Sequence, residues 1–214
     1  MDSIPKDKKK ILTQDLSSRV KNNIKIILFT EEHECQFCSD TKNLIEEIGA
    51  LNKKISIQTY DFIKNKDKAN EYNIDKIPAI AIIGSKDYGV RIYGIPYGYE
   101  LSTLIEAIVN VSQGNTDLSS DTKSILSEVK KPVHIQVFIS LTCPHCPIAA
   151  TVAHKLAIEN DLVTADVIDT GEFPILAQKY AVMGVPKIII NETIEFVGAF
   201  NEDLFAEHVL LGAF

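Results

Sequence analysis

The sequence predicts an α/β protein made of two tandem copies of one unit, each copy a mixed central sheet flanked by helices. Strand-like alternation of apolar residues gives way repeatedly to helical spacing. A Cys-x-x-Cys pair follows the first strand of each half, in "EHECQFCSD" from Glu32 and in "LTCPHCPIAA" from Leu141. Landmarks then recur in one register: Asp61, Tyr72 and Pro78 stand 26, 37 and 43 residues beyond Cys35, and Asp169, Tyr180 and Pro186 stand at the same distances beyond Cys143. Agreement of several residue types at fixed offsets marks an internal repeat.

Taken in order, the first copy opens with a helix near Lys6 to Leu16 and an apolar strand from Ile24 to Thr30. After the cysteines comes a helix with Phe37, Leu44, Ile45 and Ile48 at near-helical spacing and Gly49 at its end. The alternating strand "ISIQTYDF" and a short helix ending near Tyr72 lead to Ile77-Pro78. "AIAIIGSKDYGVRIYG" then reads as a β-hairpin turning near Gly84, and an amphipathic helix runs from about Tyr99 to Ser112. The second copy repeats this order. A helix capped by Ser120 or Asp121 runs to about Lys130, followed by a strand from Val133 to Ser140, the cysteine-led helix, "LVTADVID", a short helix to Tyr180, Val185-Pro186, the hairpin "KIIINETIEFVG" turning near Asn191, and a helix from about Asn201 to Leu211. The first copy has one extra residue before its cysteines and four more in its hairpin. The polar stretch "QGNTDLSSDT" from Gln113 reads as the boundary, giving units 1–116 and 117–214.

With 214 residues, 45% hydrophobic and 24% charged, the chain can bury a real core in each half. Its net charge of −7 offers no basic footprint for phosphates, which argues against a nucleic-acid partner. The lysines at Lys6, Lys8, Lys9 and Lys10 read as a solvated face. No apolar stretch is long enough to span a membrane, and the basic N-terminal segment is followed by Thr13, Gln14 and Asp15 rather than the apolar core of a signal peptide. The expectation is a cytosolic protein, where paired thiols point to redox or metal chemistry more than to a static staple.

A thiolate, not a thiol, attacks a disulfide, and a helix N-terminus favours negative charge at the sulfur. The two intervening residues let the second cysteine turn back on the first and close a small disulfide. Pro144 suits the first helical turn, where a missing N–H costs nothing, whereas Pro147 falls near the limit of that turn and conflicts with helix preference. Zinc is the main competitor, since two pairs supply four thiolates, but a spacing of 105 residues between the pairs is far from that of a zinc ribbon. No cofactor-binding motif is present.

A CxxC at a helix start with Ile-Pro or Val-Pro 43 residues beyond the first cysteine resembles the thioredoxin fold. Two such units in one chain resemble the protein disulfide oxidoreductases, also called glutaredoxin-like proteins, of thermophilic archaea and bacteria, over nearly the whole length. The resemblance implies an enzyme of thiol-disulfide exchange, with reductase, oxidase or isomerase activity. Cys35 and Cys143 would attack and Cys38 and Cys146 resolve. Pro78 and Pro186 would be cis, and the backbone of Ile77 and Val185 would pair with an extended substrate strand. It also implies protein substrates and a thioredoxin-reductase-like flavoenzyme as electron source. The rivals are a reductant for a peroxiredoxin-type enzyme, a binding or chaperone module with incidental cysteines, and a structural zinc protein.

The sequence departs from thioredoxin where that protein carries a buried acid six residues before its first cysteine; here Phe29 and Val137 stand there. Glu31, Glu32, Glu34 and His33 remain as proton acceptors beside the first site. His145 of "CPHC" can stabilise a Cys143 thiolate, while the carboxylates of "EEHECQFC" oppose one at Cys35, so the second site is expected to be the stronger oxidant and the more active. His134 and His154 read as structural. Tyr72 and Tyr180 read as core or rim residues.

Overall fold

In the computed structural model, which describes residues 4–214, the isoleucine-rich runs become strands and the cysteine-led segments become helices. The first half is α1 (Lys6–Arg19), β1 (Ile24–Thr30), α2 (Cys38–Ala50), β2 (Ile55–Asp61), α3 (Lys66–Glu71), β3 (Ala79–Ile83), β4 (Asp87–Tyr93) and α4 (Glu100–Gln113). The second repeats the order as α5 (Ser120–Ser127), β5 (Val133–Ile139), α6 (Cys146–Glu159), β6 (Val163–Asp169), α7 (Pro174–Lys179), β7 (Lys187–Ile190), β8 (Ile194–Val197) and α8 (Glu202–Leu211). Local chemistry sets several ends. The Ser119 hydroxyl accepts the Thr122 N–H at 3.1 Å and the Asn201 amide oxygen accepts the Leu204 N–H at 3.0 Å, so both helices are capped one residue before they start. Asn191 and Glu192 have φ of 46° and 59°, the two left-handed residues of a tight hairpin turn.

Within each half the first two strands are parallel and the hairpin returns antiparallel, β1 pairing with both β2 and β3, and β5 with both β6 and β7. The two mixed sheets expected from the sequence are further joined edge to edge. Val90 to Tyr93 of β4 pair in parallel with Ala165 to Ile168 of β6, giving one eight-stranded sheet of order β2-β1-β3-β4-β6-β5-β7-β8. The longer hairpin of the first copy serves this join: Lys86 forms an ion pair with Asp161, and Gly89 lies so close that a Cβ there would be 3.1 Å from Cα of Thr164.

One face of the sheet carries the main core, in which Leu16 of α1, Leu44 and Ile48 of α2, Leu104 and Ile108 of α4, Leu126 of α5, Leu156 of α6 and Phe205 of α8 are buried together. The other face carries a smaller core under α3 and α7. Helix α4 packs on α6 across the join, and α6 buries four small side chains, Ala149, Ala150, Ala153 and Ala157, among its neighbours. No helix among the described residues is long and apolar enough to cross a membrane.

The loop between β4 and α4 reaches the second half. Gly98 there has φ of +60°, and a Cβ would collide with the Leu141 carbonyl oxygen. An alanine at this position combines left-handed strain with a backbone clash, so Gly98→Ala is expected to cost about 2 kcal/mol or more and to lower the thermal midpoint by about 4–8 °C. Gly184→Ala, where the new methyl meets only the Val197 side chain at 3.9 Å, should stay within about 1 kcal/mol. Equal losses in a thermal melt would contradict this account of Gly98.

Candidate active site

Both cysteine pairs sit where a central strand runs out into a loop. Cys35 is joined to Cys38 and Cys143 to Cys146, with Cα separations of 5.4 and 5.5 Å. In each pair the first cysteine is partly exposed, and the second is buried, at 2% for Cys38 and 0% for Cys146. The helices begin three residues later than expected. Phe37 and His145 are the N-caps, so Cys38 and Cys146 open α2 and α6 while Cys35 and Cys143 lie in the preceding loop. This removes the conflict over Pro147, which falls in the first turn of α6, where no N–H is needed; Pro144 lies just outside the helix.

The peptide bonds Ile77-Pro78 and Val185-Pro186 are both cis. Each proline carbonyl is tied to the hairpin's end, accepting from Gly94 N–H at 3.0 Å and Gly198 N–H at 2.8 Å. The Cys143 Sγ lies 3.7 Å from the Val185 carbonyl oxygen, so disulfide and cis-proline loop are in contact at the second site. Tyr72 and Tyr180 fill equivalent places, their rings 6.2 and 5.4 Å from those of Phe29 and Phe138. His145 is exposed, and its side chain makes no capping bond. The four sulfurs are paired two by two in separate halves and do not converge on one tetrahedral metal site.

The two sites differ electrostatically. Beside Cys35 a cleft of about 370 Å³ is lined by Glu31, Glu32, Lys42 and Asp61. The Glu31 carboxylate accepts the backbone N–H of Glu34 at 2.5 Å and of His33 at 2.8 Å, and these bonds hold it below its ordinary range. Asp61 is likewise held low, by the Lys64 backbone N–H and then by its ammonium. Both therefore stay ionised. The corresponding loop at the second site reads Ser140, Leu141, Thr142, without a charge.

Three carboxyls near the second site behave in the opposite way. Burial pushes Asp169 up, and pushes both Glu172 and Glu100 up to about 7. Glu172 accepts the Ile95 N–H at 2.6 Å, and the Tyr99 N–H reaches the Leu141 carbonyl at 3.2 Å, so a loop of the first half forms a wall of the second site. Glu100 opens α4 at the end of that loop. One of its oxygens accepts the Thr103 hydroxyl at 2.6 Å and the other has no partner among the described residues. Sequence reasoning missed Glu100 because an acid in a helix's first turn is ordinary; its burial comes from the packing of α4 across the join. His154 is fully buried, pushed down to about 4 by burial, and donates from Nε2 to the Arg91 carbonyl at 3.1 Å, a structural place as expected.

A larger concavity of about 570 Å³, lined by residues including Arg91, His134 and Asp166, lies away from every cysteine. Disulfide exchange needs an accessible sulfur rather than an enclosure, so the cysteine loops remain the candidate site.

Residues 133–210 match the family model described as a thioredoxin domain. Among solved structures, a protein disulfide oxidoreductase from Aeropyrum pernix K1 superposes with a TM-score of 0.91 at 30% identity, covering 98% of this chain and 93% of that one. The alkylhydroperoxide reductase protein AhpF of Enterococcus faecalis shares the fold, with a TM-score of 0.89 at 23% identity, covering 96% and 99%. Curated relatives include the alkyl hydroperoxide reductase AhpF of Staphylococcus aureus, 26% identical over 190 residues, 85% of this chain and 34% of that protein. An NADH dehydrogenase of Bacillus subtilis is 22% identical over 166 residues, 78% of this chain and 30% of that protein. The chain spans about a third of the length of these curated relatives. Fold and disulfides together define a tandem thioredoxin-fold protein with a CxxC in each half. More narrowly, the chain belongs to the protein disulfide oxidoreductase family.

The raised Glu100 has a measurable consequence. Its folded value of about 7 exceeds the ordinary 4.5, so between those values the unfolded chain loses the proton while the folded chain keeps it. Stability should therefore fall as pH rises from about 4.5 to about 7 and level off above that, with Glu100 contributing on the order of 3 kcal/mol. Glu100→Gln removes this contribution, and its thermal midpoint should decline less over that range. Parallel profiles for the two proteins would refute the buried-acid assignment.

Proposed function

We propose that this protein exchanges dithiols and disulfides with protein substrates through both CxxC sites. The observation that carries the reading is the paired arrangement itself: in each half a partly exposed sulfur is bonded to a buried one and a cis-proline follows at the same offset, and at the second site the cis-proline loop touches the disulfide. Each half, divided near residue 116, acts as one redox unit. In the reductive direction the thiolate of Cys143 attacks a substrate disulfide, forming a mixed disulfide and releasing the other substrate sulfur as a thiolate that takes up a proton. Cys146, once deprotonated, attacks Cys143 Sγ. The second substrate sulfur leaves, the enzyme is left with its disulfide, and two electrons have passed to the substrate. The oxidative direction reverses these steps, and Cys35 with Cys38 acts in the same way. Ile77 and Val185 offer backbone groups to an extended substrate, with Pro78 and Pro186 shaping the groove.

The second site is the stronger oxidant in this reading. Ionised Glu31 and Asp61 oppose a thiolate at Cys35, whereas His145 and an uncharged loop favour one at Cys143, and stabilising the reduced form makes a disulfide more oxidising. Electrons come from or go to another protein, a thioredoxin-reductase-like flavoenzyme in the cytosol. Similarity to the alkyl hydroperoxide reductase AhpF supports a second reading, in which the protein reduces a peroxiredoxin-type enzyme.

Cys146→Ser is expected to trap a mixed disulfide at Cys143, visible as an adduct of higher mass that dithiothreitol removes; a protein that never accumulates an adduct would count against the mechanism. Reduction potentials measured in the Cys35→Ser/Cys38→Ser and Cys143→Ser/Cys146→Ser proteins should differ by about 30 mV or more, a tenfold bias, with the second site the more oxidising. Equal potentials would refute the ranking.

A further inference from the structure

The exposed apolar side chains near the second site have no counterpart at the first. From the cysteines to the cis-prolines the two copies run in one register, so residues can be compared position by position. Ile148, Ile175 and Met183 are exposed at 52%, 83% and 95%, and the same positions of the first copy hold Asp40, Asp67 and Asp75. The reverse exchange occurs once, where Ile63 is 58% exposed and the second copy has Gly171.

Two of the three lie within two residues of Cys146 or of Val185, the groups that frame the second disulfide. Ile148 lies in the first turn of α6, two residues past Cys146. Met183 lies two residues before Val185, whose carbonyl is 3.7 Å from Cys143 Sγ. Gly184 between them meets no neighbour nearer than the half-exposed Val197, at 3.9 Å from an added Cβ, so apolar surface continues along this loop. Exposed methionine adapts its shape to varied apolar partners at little cost. The uncharged loop Ser140 to Thr142 offers such a partner no charge to desolvate, whereas Glu31, Glu32 and Glu34 surround Cys35.

We propose that Ile148 and Met183 form an apolar docking ridge that selects extended polypeptide segments with aliphatic or aromatic side chains beside the cysteine under attack. This rests on the reading that Cys143 exchanges with protein substrates, and it assigns the misfolded or unfolded chain, whose apolar residues are exposed, to the second site. Asp40, two residues past Cys38, puts a charge at the matching place of the first site, whereas Asp75 pairs with Lys76 and lines the concavity away from the cysteines.

The test uses the full chain carrying Cys35→Ser/Cys38→Ser, reduced with dithiothreitol and desalted, in single turnover against three probes. These are a peptide disulfide flanked by leucine and phenylalanine, the same peptide flanked by lysine and arginine, and a small neutral disulfide. The apolar-to-basic rate ratio should fall at least tenfold on changing Ile148→Asp with Met183→Asp, and severalfold with Ile148→Ser and Met183→Ser, which add no charge. In the Cys143→Ser/Cys146→Ser protein, Asp40→Ile should raise the ratio. A ratio unchanged by the aspartate and serine pairs would overturn the ridge. A starting protein that reacts with none of the three probes would overturn the functional reading itself.

Discussion

Four residues of β4, Val90 to Tyr93, run parallel to Ala165 to Ile168 of β6, and the relation between the two halves follows from that pairing. An unpaired edge strand exposes a row of backbone donors and acceptors, and joining two such edges satisfies both at once. With the sheets in one plane, α4 is pressed against α6, and the loop from Gly94 to Tyr99 is brought to the cysteine loop of the other half. The edges that remain are β2 and β8, and β8 has only four residues. A short edge is a poor template for adding another chain.

The join also breaks the equivalence of the two sites. Each site is built from the same parts: a strand end, a cysteine loop, a helix opening on the buried cysteine, and a cis-proline loop. Among the described residues, only the second is walled by a segment of the other half. That wall buries Glu172 and positions Glu100, so carboxyls near Cys143 hold protons at a pH where Glu31 and Asp61 near Cys35 have lost theirs. Duplication therefore leaves the geometry of exchange in both halves while the electrostatic setting diverges.

Most of the architecture was legible because it depends on short-range chemistry. β1 begins and ends at the residues its apolar run indicates, the cysteines and prolines recur at equal offsets, the cap at Ser119 lies one residue before the Ser120 expected to provide it, and the last helix starts next to the expected Asn201. The start of α2 and α6 was misplaced by a few residues, since a helix end is decided by which carbonyl first accepts a bond, and Phe37 rather than Cys35 accepts from Thr41. That shift explains why Pro147 is tolerated.

Residue types and spacings settle the order of elements, the repeat, the two dithiol centres and the contrast between a carboxylate-rich loop and an uncharged one, because each depends on neighbours a few residues apart. The union of two sheets into one, the burial of Glu100 and the contact of its loop with Leu141 arise between residues far apart along the chain, and no local pattern encodes them. The desolvation that raises Glu100 arises from the packing of α4 across the join, so this buried acid could be found only in the folded protein.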